Sequence, residues 1–194
     1  MKTNLVSAFF VMLTLAFFST GCTSSKTTSK VNEFDLGAGP LGTVAFEASN
    51  NRYSANGTFK NWNFSEFSMQ GNDLTTLDAT INVDMTSIEE KSPKLTDHLK
   101  AWDYFDVAKF PTGNIRIKDV KSKGGNAYEA TAIISIKDLE KETTVEFELT
   151  NSNPMRVQGT LAINRAYFKI GEDNKGVTAD VPVTFDTALP LASK

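Results

Sequence analysis

Apolar and polar residues alternate with a period of two along several stretches of the chain. Val44, Phe46 and Ala48 alternate with Thr43, Ala45 and Glu47, and Ala79, Ile81, Val83 and Met85 alternate with Thr80, Asn82, Asp84 and Thr86. The same rhythm runs through Tyr128 to Ile136, Val145 to Leu149, Val157 to Ile163 and Val181 to Phe185. Such alternation predicts strands with one buried face. Turn signals separate them at Gly124-Gly125-Asn126, Asp138 to Glu142, Asn151 to Pro154 and Gly171 to Gly176. About eight strands at this spacing suit an all-β protein, an antiparallel sheet that closes on itself and so hides its edges. One stretch has a helical period instead. Over Ser92 to Trp102, Ser92 can cap, Pro93 suits the first helical position, and Leu95, Leu99 and Trp102 recur on one face. One short helix is therefore expected beside the sheet or across one end.

The beginning of the chain follows neither period. Lys2 precedes an almost unbroken apolar run from Leu5 to Phe18, which ends in Ser19, Thr20 and Gly21. A run this short, followed by polar residues from Thr23 to Lys30, reads as a secretory leader; a retained membrane helix is the alternative. Ser19-Thr20-Gly21-Cys22 resembles a bacterial lipobox, with Ser19 in place of the usual Leu. That resemblance implies a diacylglyceryl group on the Cys22 thiol, removal of residues 1–21, and acylation of the new amino terminus. Several acyl chains at one residue, each methylene contributing roughly 0.8 kcal/mol, make a durable anchor where a single chain does not. A secreted protein with an incidental Cys is the alternative. Residues 22–31 have the composition of a flexible tether, leaving one folded domain over 32–190.

Composition narrows the chemistry. Twenty Lys and Arg against 23 Asp and Glu give a net charge of −3, with no basic field for nucleic acid. One Cys excludes an internal disulfide framework, and one His leaves few nitrogen ligands for a metal. His98 beside Asp97, or near Asp103, is the one arrangement that could suggest a hydrolase. Neighbours in a helix point in different directions, so a structural histidine bonded to backbone is the better reading. Glu89-Glu90 and Asp103 with Asp106 read as a solvated turn and a helix end, not as an acid and base pair. The expectation is a protein without catalytic activity or cofactor.

Leu99-Lys-Ala-Trp-Asp-Tyr-Phe-Asp-Val-Ala-Lys-Phe-Pro111, opened by His98, resembles the YceI-like signature His-Leu-Lys-Ser-x-Asp-Phe-Phe-Asp-Val-x-Lys-Tyr-Pro. Further features follow in order: Val44 to Phe46, Gly57-Thr58-Phe59 with Trp62 and Phe64, Thr86-Ser87-Ile88, and Asn164-Arg165-Ala166-Tyr167-Phe168 for a late Arg-x-x-Phe pattern. The chain departs from the family at Leu95-Thr96-Asp97, where an Arg-Asp pair is usual, and at Asp138, which replaces a turn Gly. The resemblance implies an eight-stranded lipocalin-like barrel with one short helix, in the bacterial cell envelope. It also implies an internal apolar tunnel that in some members holds a long isoprenoid. Candidate tunnel residues are Phe46, Phe59, Ile81, Val83, Tyr128, Ile134, Phe147 and Phe168 from the strand faces, with Leu99, Trp102, Phe105 and Phe110 from the segment over one end.

The expected partner is a long-chain amphiphile of the isoprenoid, quinone or fatty amide class, reached from a membrane through the Cys22 anchor; a second copy of the chain is kept as a candidate partner. Thr23 stands where an Asp retains some lipoproteins at the inner membrane, so the outer membrane, periplasmic side, is the expected location. A barrel filled by its own side chains and acting through its outer surface is the rival reading.

Overall fold

The alternating stretches lie in β-strands of the computed structural model, which describes residues 41–49, 54–172 and 176–190, except that the second stretch leaves its strand at Asp84, with Met85 and Thr86 in a 3-10 turn. The expected leader, the tether and Cys22 lie outside the described residues. In chain order the elements are β1 (Gly42–Ser49), β2 (Ser54–Phe59), β3 (Trp62–Gln70), β4 (Asp73–Asp84), β5 (Ile88–Glu90), α1 (Pro93–Lys100), β6 (Thr112–Gly124), β7 (Ala127–Ile136), β8 (Leu139–Ser152), β9 (Met155–Asn164) and β10 (Asp180–Ala188). Every pairing is antiparallel, in the order β3-β4-β6-β7-β8-β9-β10-β1-β2-β5.

The two ends of that order are not free edges. β3 continues β2 after Lys60 and Asn61, and β5 continues β4 after a 3-10 turn at Met85–Ser87. Counted as continuous paths, the ten segments are eight strands, and the curled sheet meets itself at this seam. Lys60 N–H donates to Ser87 O at 3.3 Å, Asp84 N–H to Asn61 O at 3.0 Å, and Asn61 N–H to Ser87 Oγ at 3.0 Å. Asp84 caps the 3-10 turn, accepting from Thr86 N–H at 2.9 Å and from the Thr86 hydroxyl at 2.6 Å.

Alternation points one side chain in two inward, and the inward sets form a single core. Two bulges reset it. Near Ser65 the β3–β4 register shifts, so Phe64 and Phe67 are both buried although they are three residues apart. Near Asp119, at φ 54°, the β6–β7 register shifts, and the inward face passes from Ile115 and Ile117 to Val120. The expected turn at Asp138 to Glu142 is shorter than its polar composition suggests. Lys137 takes φ 55° and the chain is back in strand at Leu139, with residues 140–142 on β8.

The helix starts as expected, with Ser92 Oγ accepting from Leu95 N–H and Pro93 leading. It ends earlier, because Ala101 is extended at ψ 166°. Trp102 therefore falls in the following turn, outside the helical face of Leu95 and Leu99, and is 81% exposed.

The barrel has two unlike ends. At one lie α1, the turns through Pro111, the β7–β8 turn and the segment from Arg165 to Glu172. At the other lie Leu41, the β3–β4, β6–β7 and β8–β9 turns, and the end of β10. Phe67, Met69, Leu74, Val120, Met155 and Leu189 are buried in that second end and pack it as a floor.

Candidate functional site

Above the floor the inward side chains do not meet. They enclose an apolar chamber of about 300 Å³, lined by Val44, Phe46 and Ala48 of β1, Ala55 and Phe59 of β2, Val83 of β4, Gly113 and Ile115 of β6, Ile134 and Ile136 of β7, Ile163 of β9 and Val181 and Val183 of β10. The roof comes from the helical segment: Leu95, His98, Leu99, Tyr104 and Phe105, with Ile170 and Val177 from the β9–β10 connection. A deeper chamber of about 90 Å³ is lined by Trp62, Phe64, Ile81, Val145, Phe147, Leu161 and Phe185 among others. Val44, Val83, Ile115 and Val183 line both and form a waist between them.

Aromatic rings run from wall to roof: Phe46 lies 5.8 Å from Phe59, and Phe59 meets Phe105 edge-on at 6.0 Å. Phe46 sits directly across from Gly57 in the β1–β2 ladder, and a Cβ at Gly57 would fall 2.3 Å from its ring. Glycine at this position is what lets the ring lie flat on the neighbouring strand. The few polar groups at the chamber gather at the roof end.

His98 and Tyr104 line the chamber on one side and an open polar cleft on the other, with ring centroids 4.5 Å apart. Tyr104 is held from behind by Gly171, whose N–H donates to Asp103 O at 2.8 Å and whose φ of 57° suits glycine. Arg165 fixes the same wall. Its guanidinium donates to the carbonyls of Thr178 (2.9 Å), Ile170 (3.0 Å), Gly171 (2.7 Å) and Val177 (2.8 Å), gathering the β9–β10 connection into one clamp.

The outer cleft is also lined by Trp102, Asp103, Phe110, Lys137, Asp138, Lys169 and Glu172. Partial burial holds the Lys137 ammonium below the ordinary lysine range, against the opposing pull of Asp106, Glu172 and Asp103, and its Nζ donates to Lys169 O at 2.8 Å.

The structure distributes the residues singled out from sequence over four places. Phe46, Phe59, Val83, Leu99, Phe105 and Ile134 line the main chamber, and Ile81 and Phe147, with Val83, line the deeper one. Tyr128 stacks on Phe147 at 5.5 Å without reaching a chamber wall, and Phe168 is buried at 1% exposure in the core, edge-on to Tyr167. Trp102 and Phe110 line the outer cleft, because the helix stops before Trp102. Sequence reasoning passes over Tyr104, and takes His98 for a backbone-bonded residue; its ring instead packs on Tyr104 from an exposed position. Neither Asp97 nor Asp103 bonds His98 among the described residues, and none of the His, Cys, Asp and Glu side chains described there gathers into a group of three that could hold a metal ion. The only signal for Arg165 is its place in the Arg-x-x-Phe pattern.

Fold and site together define a small antiparallel barrel, lipocalin-like in outline, with an internal apolar chamber reached from one end. The YceI-like domain model matches residues 19–189, and the chain belongs to that family. Among solved structures it is similar to BcnA of Burkholderia cenocepacia, at 20% identity and a TM-score of 0.71 over 78% of this chain and 99% of that one. A YceI protein of Campylobacter jejuni aligns at 14% identity and a TM-score of 0.62, covering 71% and 85% of the two chains. A polyisoprenoid binding domain from Saccharophagus degradans, implicated in plant cell wall breakdown, aligns at 12% identity and a TM-score of 0.55, covering 76% and 94%. At these identities the likeness is one of fold. No curated protein matches the chain.

Proposed function

We propose that the protein is a lipid-anchored, periplasm-facing binding protein that holds or carries an isoprenoid or similar long-chain amphiphile in its barrel. The observation that carries this reading is the apolar chamber, continuous in its lining through the waist to a deeper pocket and bordered by polar groups at one end only. At about 300 Å³ the main chamber meets the lower range of small-molecule sites, so a long chain would also use the space below the waist. The polyisoprenoid binding domain that shares the fold supports the ligand class. Gly21-Cys22 after an apolar leader supports the anchor, and Thr23 in place of a retaining Asp supports an outer-membrane location. No catalytic step is part of this reading.

Transfer energetics suit a carrier. Burying some twenty methylenes yields about 16 kcal/mol against water, but a bilayer offers nearly the same, so movement between membrane and barrel is close to balanced. Loading and release then need no energy source.

The deciding experiment is native mass spectrometry with solvent extraction on the chain begun at Thr23, purified without detergent. All barrel strands and the helix lie between Gly42 and Ala188, so this chain keeps them. A stoichiometric long-chain lipid is expected. An empty protein that also refuses added polyprenols, quinones and fatty amides would overturn the reading and leave a barrel that acts through its surface. Labelled fatty acid incorporated by the full chain and lost on Cys22→Ser is the expected result for the anchor.

A further inference from the structure

Two large apolar side chains stand exposed among the described residues, Trp102 at 81% and Tyr167 at 44%. Both lie at the mouth end of the barrel. Trp102 lines the outer cleft together with Asp138 of the β7–β8 turn and Leu139 at the start of β8, and the Tyr167 hydroxyl donates to Glu140 O beside that turn at 2.7 Å. The floor end offers no such group among the described residues; its turns present Gly71-Asn72, Gly125-Asn126 and Asn153.

Trp102 also stands beside the route out of the chamber, since it shares the cleft with His98 and Tyr104, which form the chamber's wall. Lysines accompany these aromatics: Lys109 Nζ lies 4.6 Å from the Phe110 ring centre, and Lys141 Nζ 5.2 Å from that of Tyr167. In both pairs the ammonium itself sits over the ring face, a cation–π contact that puts a positive charge beside an apolar surface at this end. The cleft itself carries Lys137 and Lys169 against Asp103, Asp138 and Glu172, so its charges nearly cancel and a strongly anionic partner is disfavoured.

From this asymmetry we propose that the mouth of the barrel seats on a phospholipid bilayer, with the Trp102 indole entering the headgroup region. An indole has an apolar body and a polar N–H, and that layer suits both. Docking there would let an apolar chain pass between bilayer and chamber without crossing water, and in this respect it rests on the carrier reading above.

The test uses the chain begun at Thr23 with Trp62→Phe, which leaves Trp102 as the sole indole of the two in the sequence. With phosphatidylcholine vesicles the Trp102 emission should shift to shorter wavelength, and brominated acyl chains should quench it. Trp102→Ala should weaken vesicle co-sedimentation by roughly tenfold, with Trp102→Phe recovering part of it. If Trp62→Phe does not fold, the difference spectrum between the parent chain and its Trp102→Phe variant gives the same readout. An emission that stays at its water-exposed position and is untouched by brominated lipid overturns the proposal, and would leave a protein surface as the partner of this end.

Uptake of a fluorescent polyprenol from ethanol separates the two readings. If the parent chain does not bind it, the carrier reading fails, whereas docking is still decided by the quenching. If Trp102→Ala takes up the probe normally from ethanol and slowly from vesicles, docking is supported in its full form. Rates equal to the parent's from both sources would overturn the feeding role, while the seating of the mouth stands or falls with the quenching.

Discussion

Arg165, itself at the edge of the chamber, shows how a single side chain can organise a wall through main-chain carbonyls. Four main-chain carbonyls from Ile170 to Thr178 converge on one guanidinium, whose planar fork supplies donors in fixed directions. Lysine has the charge but neither the plane nor the number of donors. Arg165→Lys should therefore leave the strands folded while loosening this connection, at a cost of about 1.5–3 kcal/mol for the lost charge-assisted bonds. The measurements are urea denaturation, and limited proteolysis, in which cleavage should concentrate between Ile170 and Thr178. Unchanged protection of that segment would show that other contacts hold it. Gly57 works at the same scale by absence, since the space a methyl group would occupy is filled by the Phe46 ring.

Among the elements, the seam between β2–β3 and β4–β5 is where the barrel depends on few bonds. Asp84 caps the 3-10 turn there. Burial alone would raise its carboxyl pKa, but the Thr86 hydroxyl and N–H, with Asn61 and Ser87, outweigh it and hold the group below its ordinary 3.8. A depressed carboxyl stabilises the fold above its unfolded pKa, and that contribution fades as pH falls through the folded value. Asp84→Ala should cost about 1 kcal/mol at pH 7, the usual worth of a cap. The difference from the parent protein in urea midpoint should narrow below pH 3.8, and an undiminished gap in acid would mean the cap acts through packing instead.

The elements also show what the sequence makes legible. Strands β1, β4 and β7 to β10 announce themselves by alternation, and α1 by Ser92-Pro93. Four do not: β2 carries Gly57 where a large apolar residue would mark the inward face, the bulges at Ser65 and Asp119 break the period in β3 and β6, and β5 is only three residues long. The chamber walls follow from strand parity, and so Phe46, Val83 and Ile134 could be picked out. Of the roof, Leu99 and Phe105 could be picked out from the family signature, but the placing of Trp102 in the outer cleft turns on one backbone angle at Ala101 and that of Arg165 on carbonyls, neither of which has a compositional signature.

At the scale of the molecule, a packed floor, two chambers joined by a waist and a polar mouth give the barrel a front and a back. Val83→Phe would fill the waist with a side chain larger than valine by a ring. Long polyprenols that must pass it should bind roughly tenfold or more weakly, while chains short enough for the main chamber should change little. Titrating a graded series of chain lengths measures this; equal losses at every length would place the whole ligand above the waist. The chain, meanwhile, enters its first strand just past Leu41, on the back. If Cys22 is fastened to a membrane, the ten-residue tether expected over 22–31 and the nine residues that join it to Leu41 make a leash clipped to the wrong end for feeding. The covalent length of all nineteen allows at most about 60–70 Å, against a strand of ten residues that rises about 33 Å, a bound that leaves room for the barrel to turn over and bring its mouth down. Cut to half that length, it would hold the mouth outward, toward whatever faces the membrane. The leash length, which no residue of the chamber touches, would then choose between a protein that drinks from its own membrane and one that offers its contents across the gap.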